Sequence, residues 1–463
     1  MPQQLSLGEF LDEYGDDLVQ ELLDLIRIPA VAITGGPDID RMAQACAAKC
    51  ERAGLTARIE ATSGHPVVYA EGGPDDAETT LMLYGHYDAF PAADQDGWRT
   101  SPFEPVVEGD RIYGRGAGDN KGQFLAHLNA VQWWQRHNGG LPIKVKMILE
   151  GEEEFGSRHL PEFIERNRDE LAADLCCYSD GPQLGGDRPA LLFGVRGALV
   201  MEVHAEGPAQ PLHSGNFGGV VANPLLELSR FLGRLVEANG DLTAPGIDAG
   251  VPRITTEERA LVRDLPLDLA DFRARTGGDP LPAAFGEEYY ERLLYKPYFN
   301  VSGITGGYTG TGMKTLIPTS AMAKVDMRLV GDQDPDQVLA SIEKFIDDQG
   351  FRGLSVRKMF SQPPSRTPVD HPYADVVARA VEHGFGTAPV RVPSLAGTTP
   401  DYVFTKLLGI PSIMVPFAPA DQNHHAPNES MRISLFKKGT AASARLIELL
   451  AEGGAGRTAP PAS

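Results

Sequence analysis

Short apolar segments that end in a histidine or a carboxylate constrain this chain more than any other feature of its sequence. Residues 81–90, LMLYGHYDAF, show the pattern, because an apolar run is followed by His86 and Asp88. Alternate side chains of a strand point to the same face, so these two groups share one environment at the carboxyl end of the strand. Segments of this kind alternate with helical patterns over residues 1–190, which predicts an α/β fold with a mixed, mostly parallel sheet.

Other titratable residues lie at the ends of similar segments. They are Asp119, Glu152, Glu153, Glu154, Asp180, His424 and His425. Open α/β sheets keep their sites at the carboxyl ends of the strands, so these groups are expected to meet. Carboxylates brought together repel one another unless a positive charge lies among them. A pair of divalent metal ions meets this need, because imidazole and carboxylate ligands suit zinc, manganese or cobalt and one carboxylate can bridge two ions.

The pattern of the chain changes near residue 195, which indicates a second domain. Longer alternating strands, such as those in residues 191–207 and 321–335, are separated there by helical runs. The α/β pattern resumes near residue 392. We therefore expect a discontinuous first domain of residues 1–194 and 392–463, with residues 195–391 inserted as a smaller α+β domain.

Charge and cysteine content limit the partners and the compartment. The formal net charge of −21 would repel nucleic acids and anionic lipid surfaces, so neither is an expected partner. No apolar run approaches the length that spans a membrane, and the amino terminus lacks the pattern of a secretory signal. The four cysteines form an i, i+4 pair and an adjacent pair, which are poorly placed for disulfides. Free thiols and a cytoplasmic location are therefore expected.

Seven motifs in order give the chain a family resemblance. They are HYDAFP, WRTSPFEP, GRGAGDNKG, EGEEEFGS, YSDG, LHSGNFGG and HHAPNE. Their order and spacing resemble the two-metal aminoacylase, carnosinase and desuccinylase metallopeptidases, most of all the carnosinase and cytosolic nonspecific dipeptidase group. The resemblance covers roughly residues 5–450 and implies a dinuclear metal-dependent hydrolase that cleaves dipeptides or other short peptides with a free carboxylate. It also implies that residues 1–194 and 392–463 form the catalytic domain and that residues 195–391 form a lid or dimerisation domain.

The resemblance implies a set of metal ligands. His86, Asp119 and Asp180 would hold one ion, and Asp119 would bridge to a second ion held by Glu154 and His425. Two divalent ions per subunit are therefore expected, zinc first, with manganese or cobalt as alternatives that suit the same ligands. His424 stays open as an alternative to His425, since a neighbouring imidazole has the same ligand chemistry.

The remaining groups near the metals also have roles in the family. Asp88 resembles the carboxylate that orients the ligand imidazole, and Glu153 resembles the general base. The motif E-E-x-G-S sets this register and leaves Glu152 without a role. In the family the peptide bond after the bridging aspartate is cis, so a cis Asp119–Asn120 bond is expected.

Substrate contacts are expected from the inserted domain and the segment after it. His213 resembles a family histidine that reaches the site of the partner subunit, which implies a homodimer with His213 acting in trans. Arg328 resembles an arginine that grips the substrate carboxylate, a task suited to a planar guanidinium. Gly397 and Thr398 lie where the family has a glycine-serine pair near the substrate backbone.

Two features of the sequence point to different substrates. In the family that the chain resembles, an aspartate at the position of Asp180 favours a peptidase over an enzyme that removes acyl groups. Leu395 stands where the dipeptidases have an acid near the substrate amine, so an N-acyl amino acid deacylase or desuccinylase is the alternative. A noncatalytic member of the fold and an acidic calcium-binding protein are further hypotheses, but the complete ligand set and the histidines argue against them.

Overall fold

The computed structural model describes residues 4–92, 96–267, 269–279 and 288–453 and divides into two compact units. The first unit consists of Met1–Gly194, Thr367–Pro393 and Thr399–Ser463, and the second of Val195–Arg366 and Ser394–Thr398. Within the described ranges, no helix is both long and apolar enough to cross a membrane.

An eight-stranded mixed sheet organises the first unit. In spatial order its strands are Thr56–Glu60, Val67–Gly72, Lys144–Glu150, Thr80–His86, Leu175–Tyr178, Ser412–Met414, Ala190–Leu192 and Val390–Val392. Strand Thr80–His86 runs parallel to both of its neighbours, with His86 opposite Glu150 and Leu81 opposite Leu175. The central strands are buried along their length, as their apolar sequences require. The predicted α/β class with a mostly parallel sheet is confirmed.

Helices and a small sheet complete the first unit. The α-helices are Leu7–Glu13, Gly15–Ile26, Pro37–Arg52, Gly122–His137, Leu160–Arg166, Pro372–Phe385 and Ile433–Ala451. Shorter helical turns are Ala117–Lys121, Glu153–Phe155 and Val403–Leu408, and the three-stranded sheet is formed by Ser430–Arg432, Arg111–Tyr113 and Val106–Glu108. The cysteines Cys46, Cys50, Cys176 and Cys177 are buried and free, as expected from their spacing.

The second unit contains an antiparallel sheet, and the helices Pro224–Leu235 and Pro335–Asp348 pack against it. The strand order is Tyr298–Gly306, Ser320–Leu329, Gly197–Glu206 and Leu354–Gln362, and Leu212–His213 pairs separately with Leu316–Ile317. The helices are Ser214–Phe217, Pro224–Leu235, Thr256–Arg263, Leu269–Thr276, Glu288–Tyr295 and Pro335–Asp348. Alternate residues of the central strand, such as Met201 and Val203, pack with Phe231 and Ile342 in one core. This is the α+β organisation that the alternating pattern predicts.

The second domain boundary differs from the expected one. The sequence places the return to the first domain at residue 392, but Thr367–Pro393 already belongs to the first unit. Helix Pro372–Phe385 packs along Ile433–Ala451, and Val390–Val392 extends the large sheet beside Ala190–Leu192. An amphipathic helix pattern reveals a buried face but not the unit that buries it.

Two helical glycines are expected to respond in opposite ways to alanine. A Cβ at Gly384 would lie 2.5 Å from the backbone nitrogen of Ala442 and 2.7 Å from the carbonyl oxygen of Lys438, whereas a Cβ at Gly233 would meet no atom within 4 Å. Gly384→Ala should therefore lower the free energy of unfolding by about 1–3 kcal/mol, because packed backbone cannot move away freely. Gly233→Ala should raise it by about 0.5–1 kcal/mol through helix propensity. Urea denaturation of both variants tests the pair, and destabilisation of equal size in both would contradict the packing described here.

Candidate metal centre

Most of the expected metal ligands lie at one edge of the large sheet, where neighbouring parallel strands have their carboxyl ends. His86 is the last residue of Thr80–His86, and Asp180 follows the parallel strand Leu175–Tyr178. Glu153 and Glu154 follow the third parallel strand, Lys144–Glu150, in a single turn of 3₁₀ helix. Because parallel strands end at the same edge, residues distant in sequence meet here.

The first donor group consists of His86, Asp119 and Asp180, all of which are buried. One ligand atom from each lies within 4.8 Å of the others. The Nε2 atom of His86 is 3.1 Å from Oδ1 of Asp119, and its Nδ1 atom is 3.2 Å from Oδ1 of Asp88. Asp88 thus contacts the ring nitrogen that faces away from the group, an arrangement that fixes the orientation and tautomer of a ligand imidazole.

The second donor group forms around the other oxygen of Asp119. Oδ2 of Asp119 is 2.7 Å from Nε2 of His424 and 3.0 Å from Nε2 of His425. His425 also lies 3.0 Å from Oε2 of Glu154 and stacks on Phe90, with ring centroids 4.0 Å apart. Both histidines therefore reach the carboxylate expected to bridge two ions, and His425 in addition contacts the expected ligand Glu154.

The donor chemistry of both groups fits divalent cations. Burial raises the pKa of Glu154 to about 7, and it also raises the pKa of Asp180 and that of Glu153, the latter well above its ordinary value. Neighbouring carboxylates shift all three pKa values in the same direction. Oε1 of Glu154 is buried and has no hydrogen-bond partner among the described residues. The ionised forms of these groups are thus disfavoured until a cation lies among them.

A buried ion pair holds the turn that carries Asp119. Oε2 of Glu429 accepts a hydrogen bond from Arg115 at 2.8 Å, and its Oε1 accepts from the backbone N–H groups of Gly118 and Asp119, both at 3.0 Å. Arg115 and Glu429 are fully buried. Neither residue has a role among the expectations from the sequence, although Glu429 is the last residue of the motif HHAPNE and was therefore visible as a candidate.

The turn at Asp119 has the expected backbone conformation. The peptide bond between Asp119 and Asn120 is cis, so this prediction is confirmed. The side chain of Asn120 donates to the carbonyl oxygen of Ser179, next to Asp180. The turn is therefore tied both to Glu429 and to the strand end that supplies Asp180.

Glu152 has contacts of a different kind from those of the two glutamates that follow it. Its carboxylate accepts hydrogen bonds from the backbone N–H groups of His65 and His159, and the imidazole of His159 lies 2.9 Å from Oε2. It is nearly buried, with an exposed fraction of 6%. These contacts link two loops, which agrees with a register in which Glu152 takes no part in the chemistry.

The expected substrate residues of the second unit fall into two places. Arg328, on strand Ser320–Leu329, donates through Nη1 to the hydroxyl of Thr398, and Gly397 is adjacent in the chain. His213 is exposed, and its Nδ1 accepts from the backbone N–H of Gly215 at 3.1 Å. The structure brings Arg328, Gly397 and Thr398 together, and the action of His213 in a partner subunit stays a prediction.

Comparison with known proteins identifies the family. The model of peptidase family M20/M25/M40 matches residues 82–449. The Cys-Gly metallodipeptidase DUG1 of Saccharomyces cerevisiae is 30% identical over 84% of this chain and 82% of its own, and the human Beta-Ala-His dipeptidase is 29% identical over 93% and 90%.

Solved structures agree with this comparison. The metallo-carboxypeptidase Sso-CP2 of Sulfolobus solfataricus superposes with a TM-score of 0.86 at 34% identity, covering 94% of this chain and 99% of its own. Human carnosine dipeptidase 1 superposes with a TM-score of 0.77 at 28% identity, covering 97% and 100%. The length of the family match and the similarity of these relatives over most of their chains lead to one conclusion: this chain belongs to peptidase family M20/M25/M40.

Proposed function

We propose that this chain is a dinuclear metal-dependent hydrolase that cleaves the amide bond of dipeptides or other short peptides with a free carboxylate. One observation carries the proposal: the two carboxylate oxygens of Asp119 face two different donor groups, one containing His86 and the other His424 and His425. A carboxylate in this position can bridge two ions. Relatives named as dipeptidases and a structural relative named as a carboxypeptidase support a peptide substrate.

The ligand assignment follows the two donor groups. His86, Asp119 and Asp180 would hold one divalent ion, and Asp119, Glu154 and His425 would hold the other. Zinc is the proposed metal, and manganese and cobalt suit the same mixture of imidazole and carboxylate. The contact of His425 with Glu154 favours it over His424 as a ligand.

Glu153 is the proposed general base and acid. When bound, the ions lower the pKa of water and polarise the peptide carbonyl. Glu153 then accepts the proton of the attacking water and delivers it to the nitrogen of the leaving amine. Its side chain is 15% exposed and Oε2 lies 4.0 Å from Nε2 of His86, so the carboxylate borders the first donor group. Burial raises the pKa of Glu153, which suits a group that must hold the proton between the two transfers.

Substrate recognition is assigned to the second unit. Arg328 would bind the free carboxylate, Gly397 and Thr398 would contact the substrate backbone, and His213 would stabilise the developing oxyanion in the partner subunit of a homodimer. Nε of Arg328 is buried and has no acceptor within the described part of the chain, which supports an anionic ligand.

The buried free thiols support a cytoplasmic location.

Hydrolysis of N-acyl amino acids is the alternative, because Leu395 occupies the position of an acid expected near a substrate amine. A substrate screen tests the proposal against it. Protein stripped with a chelator and reloaded with Zn²⁺ or Mn²⁺ is assayed on free dipeptides and on the same residues carrying an N-acetyl or N-succinyl group. We expect cleavage of the free dipeptides by the reloaded protein and none by the stripped protein. Preference for the acylated set would identify a deacylase, and inactivity on both sets would indicate a protein that has lost catalysis.

A further inference from the structure

A short segment of the chain, Ser394–Thr398, belongs to the second unit although the residues on both sides of it belong to the first. Arg196 makes two hydrogen bonds to it. The backbone N–H of Arg196 donates to the carbonyl oxygen of Gly397 at 3.1 Å, and Nε of its side chain donates to that of Ala396 at 2.6 Å. Val195 and Leu395 also form a parallel β-bridge. Backbone and side chain of one arginine thus fix the segment that contains the expected substrate residues Gly397 and Thr398.

The surroundings of Arg196 are unusual for a buried cation. Its exposed fraction is 5%, Nη1 donates to the carbonyl oxygen of Leu293 at 2.8 Å, and the guanidinium carbon lies 5.2 Å from the ring centre of Tyr298. Over the residues that the structure describes, no carboxylate pairs with it. Burial lowers the pKa of Arg196 to about 10, and Arg328 contributes to this shift. A buried positive charge without a counterion lowers the stability of the fold. We therefore expect Arg196 to have a role other than stabilisation.

Arg328 reaches the same segment from an adjacent strand. It is the cross-strand neighbour of Ala198, two residues from Arg196, and of Tyr298, whose ring lies near Arg196. Its Nη1 donates to Thr398 and its Nε has no acceptor among the described residues. The buried guanidinium of Arg196 and the half-buried guanidinium of Arg328 therefore converge on Ser394–Thr398, and neither has a carboxylate partner in the described ranges.

We propose that Arg196 is a positioning residue for carboxylate recognition. By holding Ala396 and Gly397 it fixes Thr398 against Arg328, and its charge adds to the positive potential that attracts the free carboxylate of the substrate. This inference rests on the proposed function, in which Arg328 contacts that carboxylate. Arg196 itself contacts the protein backbone and acts through Ser394–Thr398.

Kinetics of three variants test the inference. Arg196→Met removes the charge and the side-chain hydrogen bonds to the carbonyl groups of Ala396 and Leu293. Arg196→Lys keeps the charge, and Arg357→Met is the matched control. Arg357 lies on the same sheet, where it pairs with Glu202, and its side chain is 63% exposed. Each variant is assayed on a dipeptide and on the corresponding dipeptide amide, which lacks the carboxylate. Thermal unfolding of every variant shows whether it is folded.

We expect the variant to lose its preference for substrates with a free carboxylate, because KM rises for those substrates alone. Arg196→Met should raise KM for the dipeptide by about tenfold or more, the effect of losing hydrogen bonds to a charged group, with little change in kcat. The same variant should leave the dipeptide amide nearly unaffected, Arg196→Lys should be intermediate, and Arg357→Met should match the unmodified protein. Equal losses on both substrates, or a fall in kcat alone, would overturn the inference.

Binding measurements separate this inference from the proposed function. Calorimetry compares the binding of leucine and leucinamide to the metal-loaded protein and its variants, without any turnover. If the unmodified protein cleaves no dipeptide, the proposed function fails, but a preference for leucine that Arg196→Met abolishes and Arg196→Lys partly restores would still support the role of Arg196. If leucine and leucinamide bind alike to the unmodified protein and to Arg196→Met, the inference is wrong, whatever the activity.

Discussion

The Glu153→Gln variant is expected to lose about 10²- to 10⁴-fold in kcat on its best peptide substrate while keeping its metal ions. Glutamine has nearly the same shape as glutamate but cannot accept the proton of the attacking water, so the chemical step fails and the ligand set remains. Glu153→Ala should behave in the same way. Steady-state kinetics gives kcat, and elemental analysis of the purified variant gives the metal content.

Glu152→Gln is the matched control for this experiment. Glu152 is the preceding residue and is buried, but its carboxylate accepts hydrogen bonds from the backbone of His65 and His159. Its substitution should lower stability and leave kcat within a few fold of the unmodified protein. Full activity in Glu153→Gln, or an equal loss of kcat in Glu152→Gln, would show that the register of the three glutamates is assigned incorrectly.

Glu429→Ala is expected to lower the free energy of unfolding by about 3–5 kcal/mol, the usual effect of removing one member of a buried ion pair. The substitution takes away the carboxylate that faces Arg115 and the acceptor shared by the N–H groups of Gly118 and Asp119. Because Asp119 is the proposed bridging ligand, metal affinity should also fall, by about 10- to 100-fold. Urea denaturation and metal titration measure the two effects.

An exposed ion pair provides the comparison for Glu429. Arg99 and Glu108 lie 3.3 Å apart, and both side chains are 57% exposed. Glu108→Ala should change the free energy of unfolding by less than about 1 kcal/mol and should leave metal affinity unchanged. If Glu429→Ala destabilises the protein but binds metal normally, the ion pair supports the fold alone and does not position Asp119.

Local patterns predicted the strands and, through the common edge at which parallel strands end, the gathering of the expected ligands. The two-residue period places His86 and Asp88 on one face, and parallel strands end at a common edge. The choice among the three adjacent glutamates came instead from the family resemblance. The partnership of Arg115 with Glu429 joins residues 314 positions apart, and no local pattern indicates such a pairing.

The assignment of residues 367–393 illustrates the same limit. Helix Pro372–Phe385 has one buried face, which includes Val376, Val377, Ala380 and Val381. That face packs on Ile433–Ala451, a helix that comes much later in the chain. The periodicity of a helix gives the direction of its apolar side, whereas the identity of its partner depends on the tertiary fold.

The division of the second unit into Val195–Arg366 and Ser394–Thr398 has a consequence for engineering. A gene fragment that encodes only the long piece would leave Arg196 without the carbonyl groups of Ala396 and Gly397, and Arg328 without the hydroxyl of Thr398. A chimera that takes its substrate preference from a relative must therefore exchange both pieces together. A substitution in one of the two stretches must therefore be compatible with the residues of the other, although they are far apart in the gene.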